Sequence, residues 1–576
     1  MTVLRPTIAG VPAAPGTAIG RWADPALPTL PAPRTIEPSE VQAETARLRQ
    51  LAKVAADELR QLATSVGADG HQDEAAIFDA HALMAGDPAL IDGAVRRIAT
   101  EHVDVVGAIL AAAREVADQL RALEDELLSA RAADVLDVGE RIARLAGGLS
   151  TGSSLDQSSI IVAEDLAPSV TATLPRDRLL GICLERSSPT AHAAILARAY
   201  GIPAVVGVSG LLEALRSAGT GVEIAIDGST GEVVVDPDAE ERARFERLTE
   251  ATAKARARDL SEATLAAITR DGAEVTLLAN IGSPDEAERA VNLGATGVGL
   301  FRTEFLFLER SKPPTEDEQV AAYRRAVEAF NGGPVTIRLL DVGGDKPIPY
   351  LPLPREDNPF LGVRALRLAG DRPDLFITQL RACYRVSIAG PIRIMAPMIA
   401  DATDVETLVS LADQARAGLQ RDGLEHADAE LGVMLEIPSA ILTAATYFPQ
   451  IAFASLGTND LLQYALAVDR GNPALERYRD AMHPALLRLV RMAVEAAAER
   501  GISLGVCGEM AGDPAAALAL VGLGVRSLSM SAASLPAVRR AIRNAEAWQL
   551  AEEAAAARQI RSAPEARARF TKLLPA

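Results

Sequence analysis

Residues 431–466, LGVMLEIPSAILTAATYFPQIAFASLGTNDLLQYAL, hold two short apolar runs, LGVMLEIP and FASLGTND, each with an acidic residue at or near its end and followed by a segment of helical spacing. Short apolar runs of this length are the pattern of strands buried on both faces. Outward from this pair the pattern repeats, with strand-like segments at 275 (VTLLANIG), 297 (GVGLFRTE), 335 (VTIRLLDVG), 392 (IRIMAPMI), 503 (SLGVCGEM) and 527 (SLSMS). Helix-period segments such as PDEAERAVNLG, DEQVAAYRRAVEAF and PAAALALVGLG separate them. Eight β-then-α units over about 280 residues fit a closed (β/α)8 TIM barrel, which typically needs about 250. An open doubly wound sheet is the alternative.

In such a barrel the reactive groups lie at the carboxyl ends of the strands. Those ends carry Asn280, Arg302 with Glu304, Arg338 with Asp341, Glu436, Asn459 with Asp460, and Cys507 with Glu509, and Lys346 and Arg470 follow soon after the third and sixth strands. The mouth could therefore be locally cationic. Arginine grips carboxylate and phosphate oxygens as a fork, so Arg302, Arg338 and Arg470 imply a small ligand with several anionic groups. Glu436 and Asp460 fit beside it if they hold Mg2+, which takes one or two protein carboxylates and completes its shell with phosphate oxygens and water. A salt bridge closing the barrel end is the bland reading of any one of these residues; their joint placement favours a ligand.

The rest of the chain divides by pattern. Residues 1 to about 20 are extended and interrupted by Pro and Gly, whereas 37–148 show long Ala, Leu, Glu and Arg stretches of helical period, broken at Asp87-Pro88 and around Gly67 to Gly70. Strand signals then appear at 158–169, 179–185 and 203–208, and end in a hairpin pattern around Asp227-Gly228. The helical stretch thus reads as an insertion into a mixed domain made of 1–20 plus 150–237, with 21–149 as the insert, 238–268 as a solvated linker helix and 269–576 as the barrel. Within SSPTAHAAILARAYGIPAVVG (187–207), His192 stands at or just before a helix that Gly201 ends, with Thr190 beside it. A helix start stabilises anions, and a neutral imidazole is a competent nucleophile. A lone histidine is nonetheless more often structural. His71, His81, His102, His426 and His483 show no such helix-start context, and no zinc pattern occurs.

Composition sets the limits. A net charge of −19 over 576 residues disfavours duplex nucleic acid as the main partner and leaves room for a basic protein. Three widely spaced cysteines suggest neither a disulfide framework nor a CxxC metal site. With no signal-peptide pattern and no long apolar span, the cytoplasm is the expected compartment.

Taken in order, TAHAAILAR, GVGLFRTEFLF, DVGGDKPIPY, DNPFLGVRALR, GVMLEIPSA, SLGTNDLLQYALAVDRGN and GVCGEMAGDP make the chain resemble the enzyme I family of the phosphoenolpyruvate:sugar phosphotransferase system over nearly its whole length. The resemblance implies a multidomain α/β fold: a phosphohistidine swivelling domain, an inserted all-α bundle that binds the phosphocarrier HPr, and a barrel that binds phosphoenolpyruvate. It implies phosphorylation of His192, with Arg302, Arg338, Asn459, Asp460 and Arg470 on the substrate. Glu436 and Asp460 would then hold Mg2+, Cys507 would protonate the departing enolate, and Lys346 would add a phosphate contact. A homodimer through the barrel is implied as well. In AIFDAHALMAGDPAL (76–90), Asp79 and Asp87, with Asp73 and Glu74 just before, could attract a basic carrier. One departure is Ser187-Ser188 where the family usually has two glycines, which permit tighter turns near His192. Two other readings stand beside this one. A dikinase-related enzyme would need a further ATP-binding domain, and a non-catalytic phosphoenolpyruvate-sensing adaptor has only the serine pair in its favour.

Overall fold

The computed structural model describes residues 7–24, 29–68, 72–122, 126–149, 155, 157–166, 168–187, 192–219, 221–307, 310, 312–343, 348, 350–351, 353, 356–469, 473–556 and 560–575. The chain forms two compact units, Met1–Ala255 and Arg256–Ala576.

The first unit opens with strands β1 (Thr7–Ala9), β2 (Val11–Ala14) and β3 (Thr17–Ala23). Five helices follow: α1 (Val41–Ala68), α2 (Gln72–Met84), α3 (Pro88–Glu101), α4 (Val105–Arg121) and α5 (Glu126–Ala146). The chain then returns to strands β4 (Ser159–Ala163), β5 (Leu179–Leu184), β6 (Ala204–Val206), β7 (Glu223–Asp227) and β8 (Glu232–Val235). All eight strands make one sheet, ordered β1-β8-β7-β3-β4-β5-β6-β2. The N-terminal strands thus complete a sheet whose remaining strands lie beyond the helices: β3 runs between β4 (parallel) and β7 (antiparallel). The N-terminal piece expected at 1–20 extends to Ala23, because β3 is seven residues long.

The five helices bury their own apolar core, including Leu48, Leu59, Phe78, Ile98, Ile109 and Ile142. Inside the bundle His81 is wholly buried between Asp134 at 3.2 Å and Asp137 at 3.7 Å. The Asp87-Pro88 break works by capping: the Asp87 carboxylate accepts from the Ala89 N–H at 2.7 Å, and Pro88 takes the first helical position of α3, where its missing donor costs nothing.

The expected linker is the helix Ala239–Ser261, and the boundary between the units falls inside it. Its first half is not simply solvated. Phe245 is fully buried with Ala225 and Val234 of the sheet, and Arg244 bonds to Glu232. A lone aromatic in a highly charged stretch was the available signal, and charge density masked it.

The second unit is the closed barrel. Its strands are β9 (Thr276–Ile281), β10 (Val298–Phe301), β11 (Val335–Arg338), β12 (Ile392–Ala396), β13 (Glu430–Leu435), β14 (Phe453–Leu456), β15 (Ser503–Val506) and β16 (Ser527–Met530). They pair in parallel around a ring that β16 and β9 close. Each of the eight strand segments read between 275 and 531 is a barrel strand, so the open-sheet alternative is excluded. Leu300, Met395, Met434, Phe453 and Cys507 form a small cluster of their own. Phe453 fits because residue 432 is glycine: a Cβ there would come within 2.4 Å of the ring.

Candidate active site

Closure in parallel places the carboxyl ends of all eight strands on one face; Asn280 and Arg338 stand in the last two positions of their strands, and Arg302, Glu304, Asp341, Glu436, Asn459, Asp460, Cys507 and Glu509 one to four positions past theirs. Arg302 follows β10 and is exposed. Arg338 ends β11 and is buried, at 7% exposure. Its guanidinium lies 2.8 Å from Glu304 and 3.0 Å from Asp341. Burial opposes its charge, but Glu304, Asp341 and Glu436 outweigh that effect and hold its pKa above the ordinary arginine value.

Glu436 follows β13 and is 1% exposed. Burial, with the nearby Asp341 and Asp460, pushes its carboxyl up to about 8 against the lowering effect of Arg338 and Arg364. One oxygen accepts from the Met398 N–H at 2.6 Å. The other faces Gly457, where a Cβ would approach within 2.9 Å, so the absence of a side chain there leaves room beside the carboxylate. Asn459 and buried Asp460 stand in the first turn of the helix Thr458–Leu466, and Asn459 Oδ1 accepts from the Glu509 N–H at 3.1 Å.

Cys507 follows β15 at 4% exposure. Burial pushes its thiol up to about 11, a proton-holding state suited to an acid rather than to a nucleophile. Asn280 donates to the Cys507 carbonyl at 2.9 Å and accepts from the Ser529 hydroxyl at 2.6 Å, which fixes the backbone under the thiol.

The sequence reading missed Arg364. Its guanidinium grips Asp341 through two bonds of 2.8 and 3.0 Å and reaches Asp460 at 2.9 Å and the Tyr464 hydroxyl at 3.2 Å. It stands in DNPFLGVRALR, far beyond its strand, so a search of strand ends passes over it. Among the described side chains, Arg338 is paired with Glu304 and Asp341, and Arg364 with Asp341 and Asp460. With Arg338 and Arg364 already paired, the mouth suits a polyanion together with a divalent cation better than the anion alone. Glu436, Asp460 and the space at Gly457 fit that cation. Arg470 and Lys346 lie outside the described residues.

In the first unit His192 is the first residue of the helix His192–Tyr200, and Gly201 ends that helix with φ +68°. Its side chain, Thr190 and Ser188 are outside the described set. Arg198 donates twice to the Ala13 carbonyl of β2, at 3.1 and 2.8 Å, and Leu196 is buried with the bundle core, so this helix is held against both sheet and bundle. His483 corrects another expectation, since it caps the helix Pro484–Arg500 by accepting from the Ala485 N–H at 3.2 Å. On α2, burial raises the Asp79 carboxyl and Leu83 stands 68% exposed, while the Asp73 and Glu74 side chains lie outside the described set.

Residues 255–547 match the family model of the PEP-binding domain of PEP-utilising enzymes, residues 9–131 that of their N-terminal domain and 155–231 that of their mobile domain. The phosphoenolpyruvate-protein phosphotransferase of Streptomyces coelicolor is 43% identical over 574 residues, covering 97% of this chain and 98% of its own. Its counterpart in Geobacillus stearothermophilus is 40% identical over 554 residues, with 96% and 94% covered. That of Priestia megaterium is 39% identical over 542 residues, with 93% of each chain covered.

Proposed function

This chain belongs to the phosphoenolpyruvate-protein phosphotransferase family and transfers a phosphoryl group from phosphoenolpyruvate to protein, and we propose that His192 is the residue that first receives it. The observation that carries this reading is the meeting of Arg302, Arg338 and Arg364 with Glu436, Asp460 and Cys507 at one barrel mouth.

Arg302 and Arg338, with Arg470, anchor the phosphate and carboxylate of phosphoenolpyruvate, and Asn459 and Asp460 orient it. Glu436 and Asp460 would hold Mg2+, which would supply positive charge beside the transferred group. An imidazole nitrogen of His192 attacks phosphorus, the N–P bond forms, and the P–O bond to the enol oxygen breaks. The pyruvate enolate takes a proton at carbon from the Cys507 thiol, which solvent then restores.

His192 and the anchoring arginines belong to different units, so transfer requires the histidine-bearing domain to visit the mouth and afterwards meet its acceptor. That acceptor is the carrier HPr, docked on the helical bundle in a basic-on-acidic contact supported by exposed Leu83 and the acidic residues of α2. A homodimer through the barrel and a cytoplasmic setting complete the reading; no helix among the described residues is long and apolar enough to cross a membrane.

Incubation with phosphoenolpyruvate labelled on phosphorus, plus Mg2+, should give one acid-labile label on the chain, absent in His192→Ala. Acid-labile label persisting in that variant would refute the assignment.

A further inference from the structure

Behind the mouth, one amide side chain ties two arginine-bearing strand ends together. Gln379, in the helix Pro373–Val386, is wholly buried. Its Nε2 donates to Thr303 Oγ1 at 3.0 Å and to the Tyr323 hydroxyl at 3.1 Å, and lies 3.5 Å from the Arg338 carbonyl. Its Oε1 accepts from the Leu340 N–H at 2.8 Å. Thr303 Oγ1 passes its own proton to that same Arg338 carbonyl at 3.0 Å, and the Tyr323 hydroxyl donates to Gln319 Oε1 at 3.0 Å. Each hydroxyl proton in this network therefore has an acceptor.

The position of the network gives it meaning. Thr303 lies between Arg302 and Glu304, the partner of Arg338, and Leu340 lies between Arg338 and Asp341. Beyond Arg338 the strand makes one more ladder bond, from the Leu339 N–H to the Met395 carbonyl at 2.9 Å. The Leu340 N–H has left the ladder in a residue only 1% exposed, and Gln379 supplies its acceptor. Elsewhere this helix face buries Phe376, Leu380 and Cys383. An amide among them costs stability unless its bonds are made, so a hydrophobe of equal size would serve packing better.

We propose that Gln379 is a positioning residue for the phosphoryl donor site, setting the spacing between the strand ends that present Arg302 and Arg338 to phosphoenolpyruvate. It acts through Thr303 and the Leu340 backbone and does not touch the substrate. The inference rests on the function proposed above.

Phosphoenolpyruvate with Mg2+ is titrated calorimetrically into the full chain carrying His192→Ala, which holds turnover at zero, with and without Gln379→Met. The dissociation constant should weaken about tenfold, in line with the loss expected when anchoring groups shift by a fraction of an ångström. In the otherwise unaltered enzyme, Gln379→Met should raise KM for phosphoenolpyruvate by a similar factor and change kcat less than about threefold, whereas a partly unfolded sample loses kcat alone. Thr303→Val should act in the same direction and combine non-additively with Gln379→Met; it also carries the test if the methionine variant does not fold. Hydrogen exchange at the Leu340 amide should accelerate in Gln379→Met. Faster exchange with unaltered affinity and KM would overturn the proposal and leave Gln379 a purely structural residue. Failure of the unsubstituted chain to take label from phosphoenolpyruvate, with binding still Gln379-dependent, would sink the proposed transfer and spare this inference; absence of any binding would sink both.

Discussion

Glu436 shows how one residue reports on the whole mouth. Its carboxyl is pushed up to about 8, first by burial and then by Asp341 and Asp460. An acid raised in this way contributes stability below the ordinary carboxylate range and loses it as pH climbs through about 8. Because a divalent cation binds the ionised form, its entry below that pH must expel a proton. Mg2+ affinity measured by calorimetry should therefore rise about tenfold per pH unit from about 6 to 8 and level off above, and Glu436→Gln should remove both the slope and most of the binding. A flat profile across that range would show that Glu436 is not a ligand. The same residue marks what was legible in the sequence. Arg302, Arg338, Glu436, Asp460 and Cys507 could be picked out because each stands within a few positions of a strand end. Arg364 and Gln379 could not, because one lies deep in a long connection and the other looks like any polar residue in a helix until its four partners are seen.

At the scale of elements, the eight barrel strands were legible because strands buried on both faces are written as short apolar runs with turn residues between them. The linker helix was less so: Phe245 is one apolar residue among many charges, and only the sheet beneath it gives it a role. Asp87 illustrates a different ambiguity, since an acid that could greet a basic carrier is also the cap of α3. The two roles separate by substitution. Asp87→Ala should cost the bundle about 1 kcal/mol in chemical denaturation, whereas Asp87→Asn keeps an accepting oxygen and should cost little. If the charge also draws in the carrier, both variants should raise KM for HPr to the same extent. Equal stability of the two variants would mean that the cap contributes nothing.

For the whole molecule, the separate cores of the two units have a thermodynamic consequence. Bundle and sheet are buried within Met1–Ala255, and the barrel with its surrounding helices is buried within Arg256–Ala576. Chains with several cores often unfold in more than one step. The proposed anchors for phosphoenolpyruvate all belong to the second unit, whereas His192 belongs to the first. Ligand binding stabilises only the unit it binds, by about 2.7 kcal/mol at a hundredfold excess over the dissociation constant. Scanning calorimetry of the His192→Ala chain should resolve two transitions. Phosphoenolpyruvate with Mg2+ should raise the barrel transition by several degrees and leave the other in place, whereas a purified HPr should do the reverse. The two can be told apart because a separately expressed 1–255 segment should melt with the second of them. A single transition shifted equally by either ligand would show that the units unfold as one.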